Sequence, residues 1–249
     1  MSLAGQFGRR SLIVNADDFG MSAGVNRGII EAHRRGIVTS TSLMVRWGAA
    51  AEAVTLSRDC PRLGLGLHID LGEWKFQDGN WMTLYEVVSL WNRDEVSREV
   101  TRQLDRFREL TGQNPTHLDS HQHVHREEPV RSVMIEISKQ TAIPLRHFSP
   151  GISYCGAFYG QAAKGIPYPE AISPSALISV LAELSPGVTE LCCHPGLDDN
   201  LQTMYCVERS EEVKTLCVEA VCTALNDMEI ELCSFNDLAI ARVAGERHS

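Results

Sequence analysis

The 249-residue chain is 43% hydrophobic and 22% charged, with a formal net charge of −9. That balance suits a folded chain with a sizeable core, enough for one large α/β domain or two small ones. The acidic surplus, with no basic stripe, excludes phosphate-backbone attraction, and no apolar run approaches the roughly 18 residues of a membrane span. Neither nucleic acid nor membrane is therefore an expected partner.

Residues 1–10, bearing glycine and arginine and lacking an apolar signal core, read as a disordered lead-in to a single domain over 11–249. Leu12–Val14 is a buried strand running into Asp17, Asp18 and Gly20. Ser22 is a candidate N-cap for a helix over 23–35, with Gly36 fitting its C′ position. A β-branched second strand spans 38–45 and a helix 49–58. Leu63–Asp70 is a third strand whose glycines allow close neighbours, ending in His68 and Asp70.

The next segment, 71–82, reads as a loop bearing Trp74, Phe76 and Trp81, equally suited to stacking on sugar faces and to packing on its own scaffold. A short helix is expected over 84–91, then an amphipathic helix over 95–110 ended by Gly112. Pro115–His125 is a fourth strand and its exit, and Pro129 opens a helix to about Gln140. Leu145–Phe148 is a short fifth strand. Residues 149–172 form a long connection of the kind that often carries function. Ser173-Pro174 starts a helix; 188–193 is a sixth strand, 208–227 a helix, 230–235 a seventh strand, and 236–243 a closing helix. The alternation predicts an α/β chain with a single (β/α) barrel of about seven parallel strands. The eight cysteines include no CxxC pair and read as thiols in a reducing cytoplasm.

In a parallel barrel the C-terminal strand ends share one rim. Here they carry Asp17 and Asp18, His68 and Asp70, Asp119 and His121, Arg146, and His194. Two adjacent carboxylates repel one another unless a cation or shared proton intervenes. Taken alone, Asp17-Asp18 also reads as a solvated turn. His117, Asp119, His121, His123 and His125 alternate with period two, so an extended segment would put all five on one face, more than one ion can use. Asp18, His68 and one histidine of that row make a common divalent-metal set. Asp17 could then take the proton of a water whose pKa a metal lowers to about 7. The chemistry this suggests is metal-assisted hydrolysis.

Asn15–Gly20, Gly36–Ser42, Gly66–His68, Thr116–His125, Ala157–Gly160 and Cys193–Pro195 together resemble the signature blocks of YdjC-like carbohydrate deacetylases, of which chitooligosaccharide deacetylase is the best-known member. The resemblance runs from about Leu12 to Leu238. It implies a (β/α) barrel related to polysaccharide deacetylases, acting on an acetylated sugar or oligosaccharide, with Mg2+ as the family's metal; Zn2+ or another transition metal suits two imidazoles better. It implies Asp18, His68 and His121 as metal ligands and Asp17 as general base. His194 matches the general acid of the broader superfamily more loosely. Asp119, His125 and Arg146 are expected to bind substrate or orient ligands, Arg146 as an oxyanion donor. Gln122 stands where the family commonly has histidine, and 71–82 matches less well.

Two other classes stay open: a metal-dependent phosphoesterase or amidohydrolase on a small metabolite, separated by phosphate against acetate release, and a non-catalytic sugar-binding protein on the same fold, recognised by binding without turnover. A homodimer is an assembly the reading allows.

Overall fold

The computed structural model describes residues 8–197, 201 and 203–238. Its centre is β1 (Arg10–Phe19), longer at both ends than the apolar run in the sequence. Arg10 thus already belongs to the sheet, while residues 1–7 of the expected lead-in lie outside the described residues. Helix α1 (Ala23–Arg35) follows, with the Ser22 hydroxyl accepting from the Val25 N–H at 3.0 Å. Then come β2 (Ser40–Leu43), α2 (Ala50–Arg58) and β3 (Gly64–Ile69). A hairpin of β4 (Gly72–Gln77) and β5 (Asn80–Glu86) precedes α3 (Arg93–Thr111). The remaining elements are β6 (Leu118–Ser120), α4 (Val130–Thr141), β7 (Ile152–Cys155), α5 (Pro174–Ala182), β8 (Gly187–Cys193), α6 (Glu208–Leu216), α7 (Glu219–Asp227) and β9 (Ile230–Leu232).

Seven strands form one parallel sheet in the order β6-β3-β2-β1-β8-β7, with β9 beside the start of β1. Leu12, Val14 and Ala16 of β1 are fully buried, and Val96, Val100, Leu104 and Phe107 of α3 cover the sheet beyond β3. Among the described residues β6 and β7 do not pair with each other, so the sheet curls into a half-barrel and stops. The expected barrel is thus an α/β half-barrel with an open seam.

Several elements differ from expectation for identifiable reasons. The segment read as a loop is the β4–β5 hairpin, a separate antiparallel sheet pairing Trp74 with Thr83 and Phe76 with Trp81. Strand β5 runs to Glu86, so the helix expected over 84–91 does not form. Leu145 makes only a single parallel bridge to Leu118 before the chain turns at His147 (φ +67°), and the neighbour of β8 is instead β7, four residues between Gly151 and Gly156. The helix expected over 208–227 breaks at Cys217–Val218, where the Leu216 carbonyl accepts from the Ile37 N–H at 3.2 Å and leaves the helical ladder. Gly36 does not adopt a left-handed cap (φ −125°); a Cβ there would lie 2.3 Å from that same Leu216 carbonyl oxygen. The closing helix begins over 235–238 and its remainder lies outside the described residues.

One backbone contact ties a helix on the outside to the rim. A Cβ on Gly28, in the middle of α1, would meet the Gly196 Cα at 2.4 Å. The Leu197 N–H donates to the Gly24 carbonyl at 3.0 Å just above it. Helix α1 and the His194-Pro195-Gly196 turn therefore touch backbone to backbone. Gly28→Ala should overpack this contact and lower stability in urea unfolding by about 1–3 kcal/mol, and should shift the His194 ring resonances in NMR spectra.

Candidate metal centre and active site

Neighbouring residues of a regular strand point to opposite faces. Asp17 and Asp18 nevertheless both line one cavity. The register of β1 against β2 shifts between Ala16 and Phe19, and Asp18 takes a left-handed conformation (φ +69°). This bulge turns the second carboxylate to the side of the first.

The cavity, about 550 Å³, opens at the C-terminal ends of the strands. His68 arrives on β3, His121 at the exit of β6 and His194 just past β8. Asp18 Oδ1 lies 3.3 Å from His68 Nε2 and 3.2 Å from His121 Nδ1. Its other oxygen accepts from Arg209 at 2.6 Å. Glu73 stands 3.4 Å beyond, at His121 Nε2.

Asp17 is held differently. Both its oxygens accept from the Arg146 guanidinium at 2.7 Å, and Asn15 Nδ2 donates to it at 2.9 Å. Burial, the largest single influence, disfavours its charge, but Arg146 together with His68 and His194 more than offsets it and holds the carboxyl well below the usual range. Arg146 also meets Asp119 at 2.9 Å and Glu190 at 2.7 Å. Asp119 in turn holds His68 Nδ1 at 2.7 Å, which leaves Nε2 facing Asp18.

The imidazoles divide by surroundings. Burial would lower all of them. At His121, however, Asp18 and Glu73 overcome it and raise the ring to about 9, and Asp119 and Asp17 raise His68 well above 6.5. His194 has weaker support from Asp17, 3.9 Å from its Nε2, and burial pushes it down to about 4.

Asp18, His68 and His121 fit a divalent ion on two counts. Donors about 2.1 Å from one ion stand roughly 3.0–3.4 Å apart at angles between right and tetrahedral, matching the 3.2 and 3.3 Å separations. The field at this point favours positive charge strongly enough to raise both rings.

A model of the YdjC-like protein family matches residues 11–227. The chain is also 32% identical over 252 residues to a carbohydrate deacetylase of Clostridium beijerinckii, covering 91% of this chain and 99% of that protein. The chain belongs to the YdjC-like family. Among solved structures, it resembles a protein of Enterococcus faecalis named as a candidate for cellobiose-phosphate cleavage, with TM-score 0.78, 28% identity, and 93% and 99% of the two chains covered. A family 4 carbohydrate esterase of Streptomyces lividans in complex with acetate shares the fold, at TM-score 0.52 and 10% identity over 91% of each chain.

Not every residue expected at the rim of this YdjC-like chain faces the cavity. Strand β6 ends at Ser120, and His121–Arg126 coils as a 3-10 turn with Gln122 (φ +49°) and His123 (φ +53°) left-handed. The five-residue polar face therefore does not exist. His117 stacks on Phe235 with ring centroids 3.9 Å apart, its ring lying against Gly66, and His125 is buried with Nδ1 on the Ser120 hydroxyl. Asp70 takes Arg46 at 2.8 Å and Tyr85 at 2.9 Å, away from the cavity. The Arg146 side chain is wholly buried, its guanidinium paired with Asp17, Asp119 and Glu190 rather than turned into the cavity.

Conversely, Glu73 and Arg209 reach the site unannounced, from a segment read as a loop and from the start of a helix. Cys192 also reaches it, its thiol donating to Asp17 at 3.4 Å. Trp74 and Trp81 line the cavity, and Phe76 instead packs edge-on against Trp81. Gln122 pins the hairpin, its amide exchanging hydrogen bonds with the Trp74 backbone at 3.0 and 2.7 Å.

Arg146 offers a sharp test. Arg146→Gln removes the guanidinium shared by Asp17, Asp119 and Glu190, leaving only the His68 imidazole beside them, and should cost about 3–5 kcal/mol at pH 7. In the wild type Asp17 and Asp119 have lowered values, so their stabilisation persists above 3.8 and is lost only as pH falls through those values. In the variant the carboxyls rise and destabilise as pH increases. Urea unfolding should show the gap between the two proteins narrowing from pH 7 towards pH 4.

Proposed function

We propose that this chain is a metal-dependent hydrolase that removes acetyl groups from N-acetylated sugars. The observation that carries it is the placement of Asp17 between two unlike neighbours: the Asp18–His68–His121 donors on one side and the His194 imidazole, 3.9 Å away, on the other. Trp74 and Trp81 on the cavity wall suit stacking on sugar faces. The curated relative named carbohydrate deacetylase supports the same reaction.

Asp18, His68 and His121 would hold the cation, which when bound acts as a Lewis acid on the acyl oxygen and acidifies water. The family reading implies magnesium, whereas a carboxylate with two imidazoles suits zinc, cobalt, manganese or iron. Asp119 fixes the tautomer and orientation of His68 through Nδ1. Asp17 is kept ionised by Arg146 and accepts the proton of the attacking water. A carboxylate so firmly paired is a weak base, effective only toward acidified water. The water oxygen adds to the acetyl carbon, the C–N bond breaks, and the nitrogen must leave protonated. His194 delivers that proton. Its ring is neutral at rest, so it gains a proton during the cycle, and Asp17 stands beside it with the one taken from water. The products are acetate and the free amine.

A phosphoester substrate fits less well. Arg209 is the one arginine or lysine on the cavity wall among the described residues, and its guanidinium is already paired with Asp18. No helix among the described residues is long and apolar enough to cross a membrane. The eight free thiols suit a reducing cytoplasm, the location we propose.

Incubation with N-acetylglucosamine oligomers and acetylated metabolites, read by mass spectrometry as loss of one acetyl group, tests the reaction; phosphate release without acetate would refute it. Asp17→Asn should retain metal by elemental analysis while turnover falls by about 10²–10⁴-fold. Near-wild-type rates in that variant would remove Asp17 as the base. His68→Ala should lose both metal and turnover. Elemental analysis of protein purified without added metal decides between magnesium and a transition metal.

A further inference from the structure

Next to the catalytic cavity, three other imidazoles converge. His123 and His125 come from the 3-10 turn after β6, and His147 from the bend before β7. One ring nitrogen of each lies within 4.8 Å of the other two. Their ring centroids form a nearly even triangle, 6.0, 5.4 and 5.6 Å on its sides. Three imidazoles bound at about 2.1 Å to one ion place their centroids roughly 5.2–5.5 Å apart, between tetrahedral and trigonal angles. Closure on an ion therefore needs only small ring movements.

The hydrogen bonds point the same way. His125 Nδ1 is held at 2.6 Å by the Ser120 hydroxyl, and His123 Nε2 at 3.1 Å by the Tyr154 hydroxyl. Fixing one nitrogen in this way is how proteins aim the other at a metal. The remaining nitrogens, His123 Nδ1, His125 Nε2 and His147 Nε2, are buried without a hydrogen-bond partner among the described residues. Every member of the cluster thus keeps a buried ring nitrogen free to bind an ion.

The backbone is strained to bring them there. His123 and its neighbour Gln122 are left-handed, and so is His147 at φ +67°. Non-glycine residues in that region are uncommon and gather at functional sites. The Arg146 charge does not repel an ion unopposed, because Asp17 and Asp119 already outnumber it.

We infer that His123, His125 and His147 form a second cation site, distinct from Asp18–His68–His121, for a borderline transition-metal ion such as zinc, cobalt or nickel. Three neutral nitrogen donors without a carboxylate disfavour magnesium. The site joins the exit of β6 to the approach of β7, the two edges at which the half-barrel is open. An ion there staples the seam.

The test uses metal-free full-length protein titrated with zinc by calorimetry, with and without saturating magnesium. His147→Ala should bind one zinc fewer than the wild type, and His68→Ala should still bind zinc at the triad. Zinc should raise the Tm of His68→Ala and leave that of a His68→Ala, His147→Ala double variant unchanged. Equal stoichiometry in wild type and His147→Ala overturns the site. Should a histidine variant fail to fold, zinc-edge X-ray absorption on Asp18→Asn loaded with one equivalent decides independently. A shell dominated by imidazole nitrogen supports the site; a shell dominated by oxygen overturns it. Because none of these measurements reads acetate release, their outcome is separate from that of the proposed deacetylation.

Discussion

The rim depends on one buried cation. Arg146, with no exposed side-chain surface, divides its guanidinium among Asp17, Asp119 and Glu190 at 2.7–2.9 Å. A buried guanidinium with good bidentate geometry can repay its own desolvation, and the planar fork orients whatever it pairs with. Two of its partners have distinct positions in the site: Asp17 faces the cavity, and Asp119 reaches back to His68. Burial leaves Glu190 raised to about 7 even with Arg146 beside it, so that carboxyl carries part of the imbalance as a proton. The arrangement fixes orientation first and stability second.

The two neighbouring aspartates show how environment separates identical side chains. Each has its own arginine, Arg146 for Asp17 and Arg209 for Asp18. Asp17 has both oxygens on its arginine, whereas Asp18 gives one oxygen and leaves the other to two imidazoles. The distinction rests on a single left-handed residue, since a regular strand would have sent Asp18 to the opposite face.

What was legible in the sequence follows from what local pattern encodes. Asp17, Asp18, His68, His121 and His194 stand at or just past strand ends, and strand ends are readable from apolar runs. The seven parallel strands were readable in number for the same reason, though one of them was misplaced. Leu145–Phe148 is as apolar as a short strand, but pairing is a tertiary matter, and Ile152–Cys155 took the place beside β8. The alternating histidines misled because period two describes a strand only while the chain stays extended, and two left-handed residues end that at Gln122. Glu73 and Arg209 carry no local mark at all. Each becomes a site residue only when a hairpin or a helix from elsewhere in the chain folds over the rim.

Among the described residues the β4–β5 hairpin shares no strand pairing with the main sheet, being a two-stranded sheet of its own. The cavity is thus walled by two pieces with different obligations. The parallel sheet carries the aspartates and imidazoles, packed so tightly that α1 meets the His194 turn backbone to backbone. The hairpin carries Trp74 and Trp81 and is clasped to the turn after β6 by the Gln122 amide. Sequence can therefore drift at Trp74 and Trp81, changing what the cavity admits, so long as the hairpin keeps Glu73 against His121 and its clasp to Gln122.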